Sequence, residues 1–261
     1  MRNLFQFTYL QALSCIFPVI IFSALALSKV ISIPYLPRYD FILLICIAAQ
    51  VFMLASRLET VDEFKVICLF HVIGLALELF KVHMGSWSYP GEAYSKILGV
   101  PLYNGFMYAS VASYICQSWR RMNLQIYNWP RPYLTVGISL LIYLNFFAHH
   151  YFYDLRWPLK ALLFFIFIRT MVTFQVNKKL YRMPMILSFF LVGFFIWIAE
   201  NITTFLGAWQ YPNQHAAWSL VHIGKISSWF LLVVISIIIV AQLKRVKSST
   251  QESNSDCWRI L

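Results

Sequence analysis

Charged residues are scarce in this sequence: Asp, Glu, Lys and Arg make up 12% of its 261 residues, whereas hydrophobic residues make up 60%. The mean hydropathy is +0.67. This composition excludes an ordinary soluble domain. The net charge of +11 comes from short basic clusters between the apolar runs, so it does not indicate a nucleic-acid partner. We therefore expect a polytopic membrane protein whose main partner is the lipid bilayer.

Cysteines and catalytic signatures are also few. The five cysteines stand apart, without a CxxC or a Cys/His pair, which argues against disulfides and structural zinc. The sequence has no HxxxH or HxxHH cluster, no Walker loop and no Gly-x-Ser-x-Gly. These absences argue against di-iron membrane hydroxylases and desaturases, P-loop enzymes and α/β-hydrolases. We expect no metal and no cofactor.

Apolar runs of near-bilayer length are abundant. They predict an all-α polytopic bundle of about eight transmembrane helices, at 11–31, 41–56, 66–84, 102–119, 133–150, 158–174, 185–205 and 218–243. Residues 1–247 would form this transmembrane helical domain. The polar segment 248–261 is predicted to be a disordered cytoplasmic tail.

The basic residues predict the orientation of the bundle. Eight spans place both termini on one side of the membrane. That side carries thirteen Lys and Arg residues, against at most six on the other side. Because positively charged loops stay in the cytoplasm, we expect both termini to be cytoplasmic.

One stretch of the sequence occurs twice. Residues 78–90 read ELFKVHMGSWSYP and residues 200–212 read ENITTFLGAWQYP, so Glu and Gly-x-Trp-x-Tyr-Pro recur 122 positions apart. Each copy begins in an apolar run and must leave its helix at Tyr-Pro, since proline cannot continue a helix. The copies lie four spans apart. This spacing predicts two parallel four-helix halves, 1–121 and 122–247, related by an axis along the membrane normal.

Each copy begins with a glutamate inside a predicted span, and Glu78 and Glu200 are the candidate catalytic residues. Carboxylates inside a membrane are costly and are functional candidates by default. Polar residues concentrate toward the same end of the spans, which predicts a cavity in the outer half of the bilayer. The candidate substrate-binding residues there are Trp87, Tyr89, Asn104, Trp209, Tyr211, His222 and Lys225.

Structural interpretations of the same residues stay open. The Trp and Tyr side chains could form an interfacial aromatic belt, and Glu78 could pair with Lys81 one turn away. Glu200 and Lys225 lie at similar depths on neighbouring spans. We therefore predict an ion pair between them at the border of the cavity.

The runs FKVHMGSWSYP and GVPLYNGFMYASVASYICQSWRR closely resemble the YoaT-like family of bacterial integral membrane proteins of unknown function. The resemblance covers most of the chain and implies a multi-pass protein of the bacterial cytoplasmic membrane. More loosely, Glu78, Gly85, Trp87, Tyr89 and 99–102 resemble the membrane-embedded carotenoid hydratases and cyclases. The acidic residues of those enzymes are thought to protonate polyenes.

Three functions are compatible with this sequence. The first is an enzyme that acts on a membrane lipid or isoprenoid, with Glu78 and Glu200 as acid and base and aromatic rings around a cationic intermediate. The second is a small-solute or proton-coupled transporter or permease. The third is a non-catalytic membrane scaffold. The sequence does not fix an oligomeric state.

Overall fold

The computed structural model describes residues 1–257, with side chains up to residue 244. The described chain is mostly helical. Its α-helices are α1 (Arg2–Ser14), α2 (Ile16–Val30), α3 (Arg38–Ala55), α4 (Val61–His83), α5 (Asn104–Arg121), α6 (Pro132–Ala148), α7 (Arg156–Phe167), α8 (Met185–Phe205) and α9 (Lys225–Cys257). The strands are β1 (Lys96–Ile97), β2 (Val100–Pro101), β3 (Gln125–Tyr127), β4 (Met171–Val176) and β5 (Lys179–Pro184).

The apolar helices indicate a membrane protein. Helices α3, α4 and α8 and the Lys225–Lys244 part of α9 are long and apolar enough to cross a bilayer. Helices α1 and α2 pass the same test only as a pair, bent by 65° where they meet. The eight predicted spans and their two halves are therefore not confirmed. Helix α9 continues to Cys257, into the predicted tail, and residues 258–261 lie outside the described part of the chain.

The predicted span at 158–174 differs most from the structure. Helix α7 ends at Phe167, and β4 and β5 follow as a hairpin that pairs Val176 with Lys179. The two turn residues, Asn177 and Lys178, both have positive φ, which suits the tight turn of a two-residue hairpin. Strand β3 pairs with β4 and completes a three-stranded antiparallel sheet. Strands β1 and β2 form a second, two-stranded sheet. The fold is therefore mostly helical with two small sheets, rather than purely α.

Helix α5 occupies the centre of the bundle and packs against α1, α2, α4 and α9. Its contact with α4 is close because each helix supplies a glycine opposite a ring of the other. A Cβ on Gly74 would lie 2.5 Å from Tyr108, and a Cβ on Gly105 would lie 2.7 Å from His71. The serines, Asn104 and Gln117 of α5 are buried inside the bundle. This explains why α5 is polar although it lies inside.

Ion pairs connect the helices at the end of the bundle opposite the repeated motif. Helix α4 begins with a capping box between Thr60 and Glu63. The buried Glu63 carboxylate also lies 3.0 Å from Lys244 of α9 and 3.6 Å from Arg120 of α5. Three helices therefore meet at one carboxylate. Because the Glu63 side chain is only 2% exposed, removing its partners would leave a buried carboxylate unpaired, which is costly.

A pair of glycine substitutions tests the packing of α8 on α9. A Cβ on Gly193 would lie 2.9 Å from the backbone nitrogen of Phe230, so Gly193→Ala must push the two helices apart. We expect it to lower the free energy of unfolding by about 1 to 3 kcal/mol. Gly137, in the middle of α6, has open space around the same position. Gly137→Ala should therefore stabilise the protein by about 0.5 to 1 kcal/mol. Equal shifts in detergent unfolding curves would contradict this helix packing.

Candidate functional site

The two copies of the repeated motif adopt the same local structure. Helices α4 and α8 are each followed, two residues after their last residue, by a glycine with positive φ, 68° at Gly85 and 70° at Gly207. In each copy the amide after that glycine donates to a carbonyl five residues back, from Ser86 to Lys81 and from Ala208 to Thr203, both at 2.9 Å. This is the Schellman arrangement, which glycine favours because the left-handed conformation needs no Cβ.

The two motif loops also pair with each other. The amide of Ser88 donates to the carbonyl of Gln210, and the amide of Gln210 donates to the carbonyl of Ser88, both at 2.9 Å. These residues are equivalent positions of the two copies. The rings of Trp87 and Tyr211 meet edge to face next to this bridge, 5.9 Å apart. We call this end of the bundle the motif end.

Glu78 is buried at the motif end and accepts three hydrogen bonds. Its Oε2 accepts from Trp87 Nε1 at 2.7 Å and from the Tyr89 hydroxyl at 2.9 Å. Its Oε1 accepts from the Tyr108 hydroxyl at 2.7 Å. Asn104 lies near this carboxylate, but its amide nitrogen makes no hydrogen bond of standard geometry with a described residue. Aromatic donors therefore hold Glu78 in place.

Glu200 has a matching environment. Its Oε1 accepts from the Tyr211 hydroxyl at 2.5 Å, and its Oε2 accepts from Trp229 Nε1 at 2.6 Å. Tyr211 stands eleven positions after Glu200, as Tyr89 does after Glu78. Burial raises the pKa of the Tyr211 hydroxyl, and the neighbouring Glu200 carboxylate raises it further, so this tyrosine stays a hydrogen-bond donor.

Both carboxylates line one cavity of about 760 Å³. Its walls come from α1, α2, α5 and α8, with Trp229 from α9, and most of the lining side chains are apolar. Of the predicted binding residues, Trp87, Asn104, Trp209 and Tyr211 line it. Tyr89 lies behind Glu78 and reaches the site through its hydroxyl. The two motifs therefore contribute to a common cavity, which extends from the motif end along α8.

The predicted Glu200–Lys225 ion pair is wrong. The Lys225 ammonium lies over the faces of Tyr211, at 4.4 Å, and Trp87, at 5.2 Å. No Lys, Arg or His nitrogen of the described chain lies within 4.0 Å of either cavity carboxylate. The reason is competition: Tyr211 and Trp229 already occupy the oxygens of Glu200, and the electron-rich ring faces attract the cation.

The positions of Lys81 and His222 also differ from the sequence interpretations. Lys81 does not pair with Glu78, and its ammonium instead faces His149 Nε2 at 3.3 Å and His150 Nε2 at 2.9 Å. His222 is exposed and accepts a hydrogen bond from the amide of Gly224 at 3.1 Å. It does not line the cavity, so it is not brought together with the other predicted binding residues.

Sequence reasoning missed Tyr108 and Trp229, which complete the two carboxylate sites. They follow Glu78 by 30 and Glu200 by 29 positions, on the helix after each motif. Because these two spacings differ by one residue, an alignment of the two halves without gaps does not pair Tyr108 with Trp229. A search for a Tyr or Trp one helix beyond each glutamate would have found both.

The cavity opens sideways between α2 and α8. Val19 of α2 and Phe195 and Ile202 of α8 line the cavity, yet they are also 54%, 64% and 47% exposed. At the motif end, Arg38 of α3 connects the two helices by donating to Ser28 Oγ of α2 and to the carbonyls of Leu206 and Gly207 after α8. The opening therefore lies among exposed apolar side chains along the two helices.

Comparison with known proteins gives a family but no activity. "Uncharacterized protein YoaT" from Bacillus subtilis (strain 168) is 60% identical over 249 residues, which cover 95% of this chain and 94% of that protein. No solved structure matches the chain. The family described as "Protein of unknown function (DUF817)" matches residues 3–237. The chain therefore belongs to the DUF817 family.

Proposed function

We propose that this protein is an enzyme of the bacterial cytoplasmic membrane that acts on a lipid or isoprenoid by acid and base chemistry, with Glu78 and Glu200 as the reacting pair. One observation carries the proposal. Two buried carboxylates, each held by aromatic N–H and O–H donors, line a single apolar cavity of about 760 Å³. This volume lies within the range of about 300 to 1,000 Å³ typical of small-molecule sites.

The cavity suits a ligand that arrives from the bilayer. Its walls are mostly apolar, and its opening between α2 and α8 is bordered by the exposed side chains of Val19, Phe195 and Ile202. A polar solute would have to cross hydrocarbon to enter there, at a cost of several kcal/mol for each unsatisfied polar group. A membrane-dissolved alkene has no such cost.

The chemistry follows from the groups around the cavity. In its protonated form, one glutamate would give its proton to a carbon of a double bond, and the π electron pair would form the new C–H bond. The carbocation that remains would lie near the ring faces of Trp87, Tyr108, Tyr211 and Trp229, which stabilise cations. The second carboxylate would then remove a proton from the neighbouring carbon. The net result is a shifted double bond, with no oxidant or reductant required.

The proposal includes the arrangement of the chain in the membrane. Successive helices run in alternate directions between the motif end and the opposite end. The chain would therefore cross the membrane eight times, once with the α1–α2 pair and once with each of the helices α3 to α9. Both termini would then lie in the cytoplasm. An internal repeat would place an approximate two-fold axis near the Ser88–Gln210 bridge. The matched helix ends at Gly85 and Gly207 support this repeat.

Hydrogen exchange into the substrate tests this function. The purified protein would be placed in lipid nanodiscs that contain the total lipid extract of its host cells, in D2O. Proton transfer at a double bond should add deuterium to one isoprenoid, detected by mass spectrometry. Glu78→Gln and Glu200→Gln should each slow this incorporation by about 10²-fold or more, as loss of a general acid or base does.

Glu92→Gln is the matched control, because Glu92 is exposed and lies outside the cavity. It should incorporate deuterium as the unaltered protein does. If no lipid in the extract takes up deuterium with the unaltered protein, the proposal that the protein is such an enzyme is wrong. If the same cells then showed a changed pool of a soluble compound, the transporter would be the better interpretation.

A further inference from the structure

The loop between α6 and α7 exposes four aromatic side chains. Tyr151, Phe152, Tyr153 and Trp157 are between 66% and 91% exposed. The loop nevertheless has a fixed shape, because the amide of Leu155 donates to the buried Asn145 side chain at 3.0 Å. Exposed Tyr and Trp rings collect at the boundary between hydrocarbon and headgroups, where an apolar ring and a polar tip are both satisfied.

Basic groups surround the base of this loop. The Lys81 ammonium is buried and faces the Nε2 atoms of His149 and His150. The Nδ1 of His149 lies 3.0 Å from the carbonyl of Asn145, which assigns the proton to Nδ1 and leaves Nε2 as an acceptor. Burial lowers the pKa of both histidines, and the Lys81 charge lowers it further. The histidines therefore solvate Lys81 without neutralising its charge.

The cluster has more positive than negative charge. Arg156 lies within electrostatic range of Lys81, and Lys160 lies 3.3 Å from the centre of the Trp157 ring. Asp154 is the carboxylate of this loop, and it is already paired with Arg156 at 2.6 Å. No carboxylate of the described chain lies within 4.0 Å of Lys81, Lys160 or Lys225. An anion from outside the chain would balance this excess.

The length of α7 gives the depth of the cluster. Its 12 residues extend about 18 Å, less than the roughly 30 Å hydrocarbon core of a bilayer. A short apolar helix draws the bilayer thinner around it. With α7 centred in a bilayer thinned in this way, its Arg156 end and the aromatic loop would lie at the level of the lipid phosphates.

We propose that Lys81, Arg156 and Lys160, together with the aromatic loop 151–157, form a binding site for the phosphate group of an anionic phospholipid. The guanidinium and ammonium groups bind the phosphate, and the exposed rings pack along the upper part of the acyl chains. This site lies where the ends of α4, α6 and α7 meet, and none of its three basic residues lines the cavity.

Thermal unfolding in nanodiscs of defined lipid tests this site. The unaltered protein should unfold about 5 °C higher in phosphatidylglycerol than in phosphatidylcholine, the order of shift expected for a ligand near saturation. The double variant Arg156→Gln/Lys160→Gln should lose most of this difference. Lys178→Gln/Lys179→Gln removes the same amount of charge at the exposed β4–β5 turn. This control should keep the difference in unfolding temperature between the two lipids.

Each comparison has a result that would overturn the proposal. An equal loss of the lipid effect in the two double variants would mean that overall charge, not this cluster, is responsible. A full effect in Arg156→Gln/Lys160→Gln would exclude the cluster. Inorganic phosphate that raises the unfolding temperature in phosphatidylcholine to the same extent would assign the site to the free ion.

Lys160→Gln alone is a check on folding, because the Lys160 ammonium packs on the exposed Trp157 ring rather than on a buried group. It should fold as the unaltered protein does and lose about half of the lipid effect. A Lys160→Gln protein that folds and keeps the whole effect would remove Lys160 from the site. Deuterium incorporation at the cavity is measured separately, so failure of one proposal leaves the other testable.

Discussion

Replacing Glu78 with alanine is expected to lower the free energy of unfolding by about 3 to 6 kcal/mol. The substitution leaves three donors without an acceptor: Trp87 Nε1 and the hydroxyls of Tyr89 and Tyr108. Each buried donor left unpaired costs about 1 to 3 kcal/mol. Part of this cost is recovered where the freed donors find other acceptors. Unfolding in detergent, followed by circular dichroism, would measure the loss.

Three further variants separate hydrogen bonding from charge. Glu78→Gln keeps one acceptor oxygen, so its effect should be intermediate. Tyr108→Phe removes one donor and should cost about 1 kcal/mol. Glu92→Ala removes an exposed carboxylate and should change stability by less than about 0.5 kcal/mol. If Glu78→Ala and Glu92→Ala unfolded alike, the three aromatic donors would not depend on Glu78.

The location of the candidate site could be predicted from the sequence, but its bonding could not. The recurrence of Glu, Trp and Tyr at equal offsets identified Glu78 and Glu200 as related positions, and the structure places both in one cavity. The offsets alone do not tell which donor reaches which oxygen. Lys225 shows the difficulty: its depth fits Glu200, but ring faces and carboxylate compete for the cation, and only the side-chain packing decides.

The number and type of elements show a similar division. Long apolar helices such as α4 and α8 follow directly from hydropathy. Helix α5 is too polar for that test, and it can be so because its serines, Asn104 and Gln117 are buried inside the bundle rather than exposed to lipid. The sheet was missed because β4 continues an apolar run, and short apolar runs look alike whether they form a strand or a helix. The Asn177–Lys178 turn was the available signal.

Arg38 connects the opening of the cavity to the stability of the bundle. Its guanidinium donates to Ser28 Oγ at 2.9 Å on α2, and to the carbonyls of Leu206 at 2.5 Å and Gly207 at 2.9 Å after α8. The last carbonyls of a helix have no partner within the helix. Arg38 therefore satisfies the end of α8, two turns after Glu200, and holds it against α2.

We expect the second large effect on stability from Arg38→Met. Hydrogen bonds from charged groups contribute about 1.5 to 3 kcal/mol each, so this substitution should lower the free energy of unfolding by about 3 kcal/mol. Lys29→Met is the matched control. Lys29 makes one hydrogen bond to the same region, at 2.9 Å to the Phe205 carbonyl, from an exposed position. It should cost less than about 1 kcal/mol.

Hydrogen exchange would show where the effect of Arg38→Met acts. Backbone amides at 200–211 should exchange faster in Arg38→Met under native conditions, because the end of α8 is no longer held against α2. Amides in the β4–β5 hairpin lie at the opposite end of the bundle and should exchange as before. If both regions exchanged faster to the same degree, Arg38 would stabilise the whole bundle rather than the contact between α2 and the end of α8.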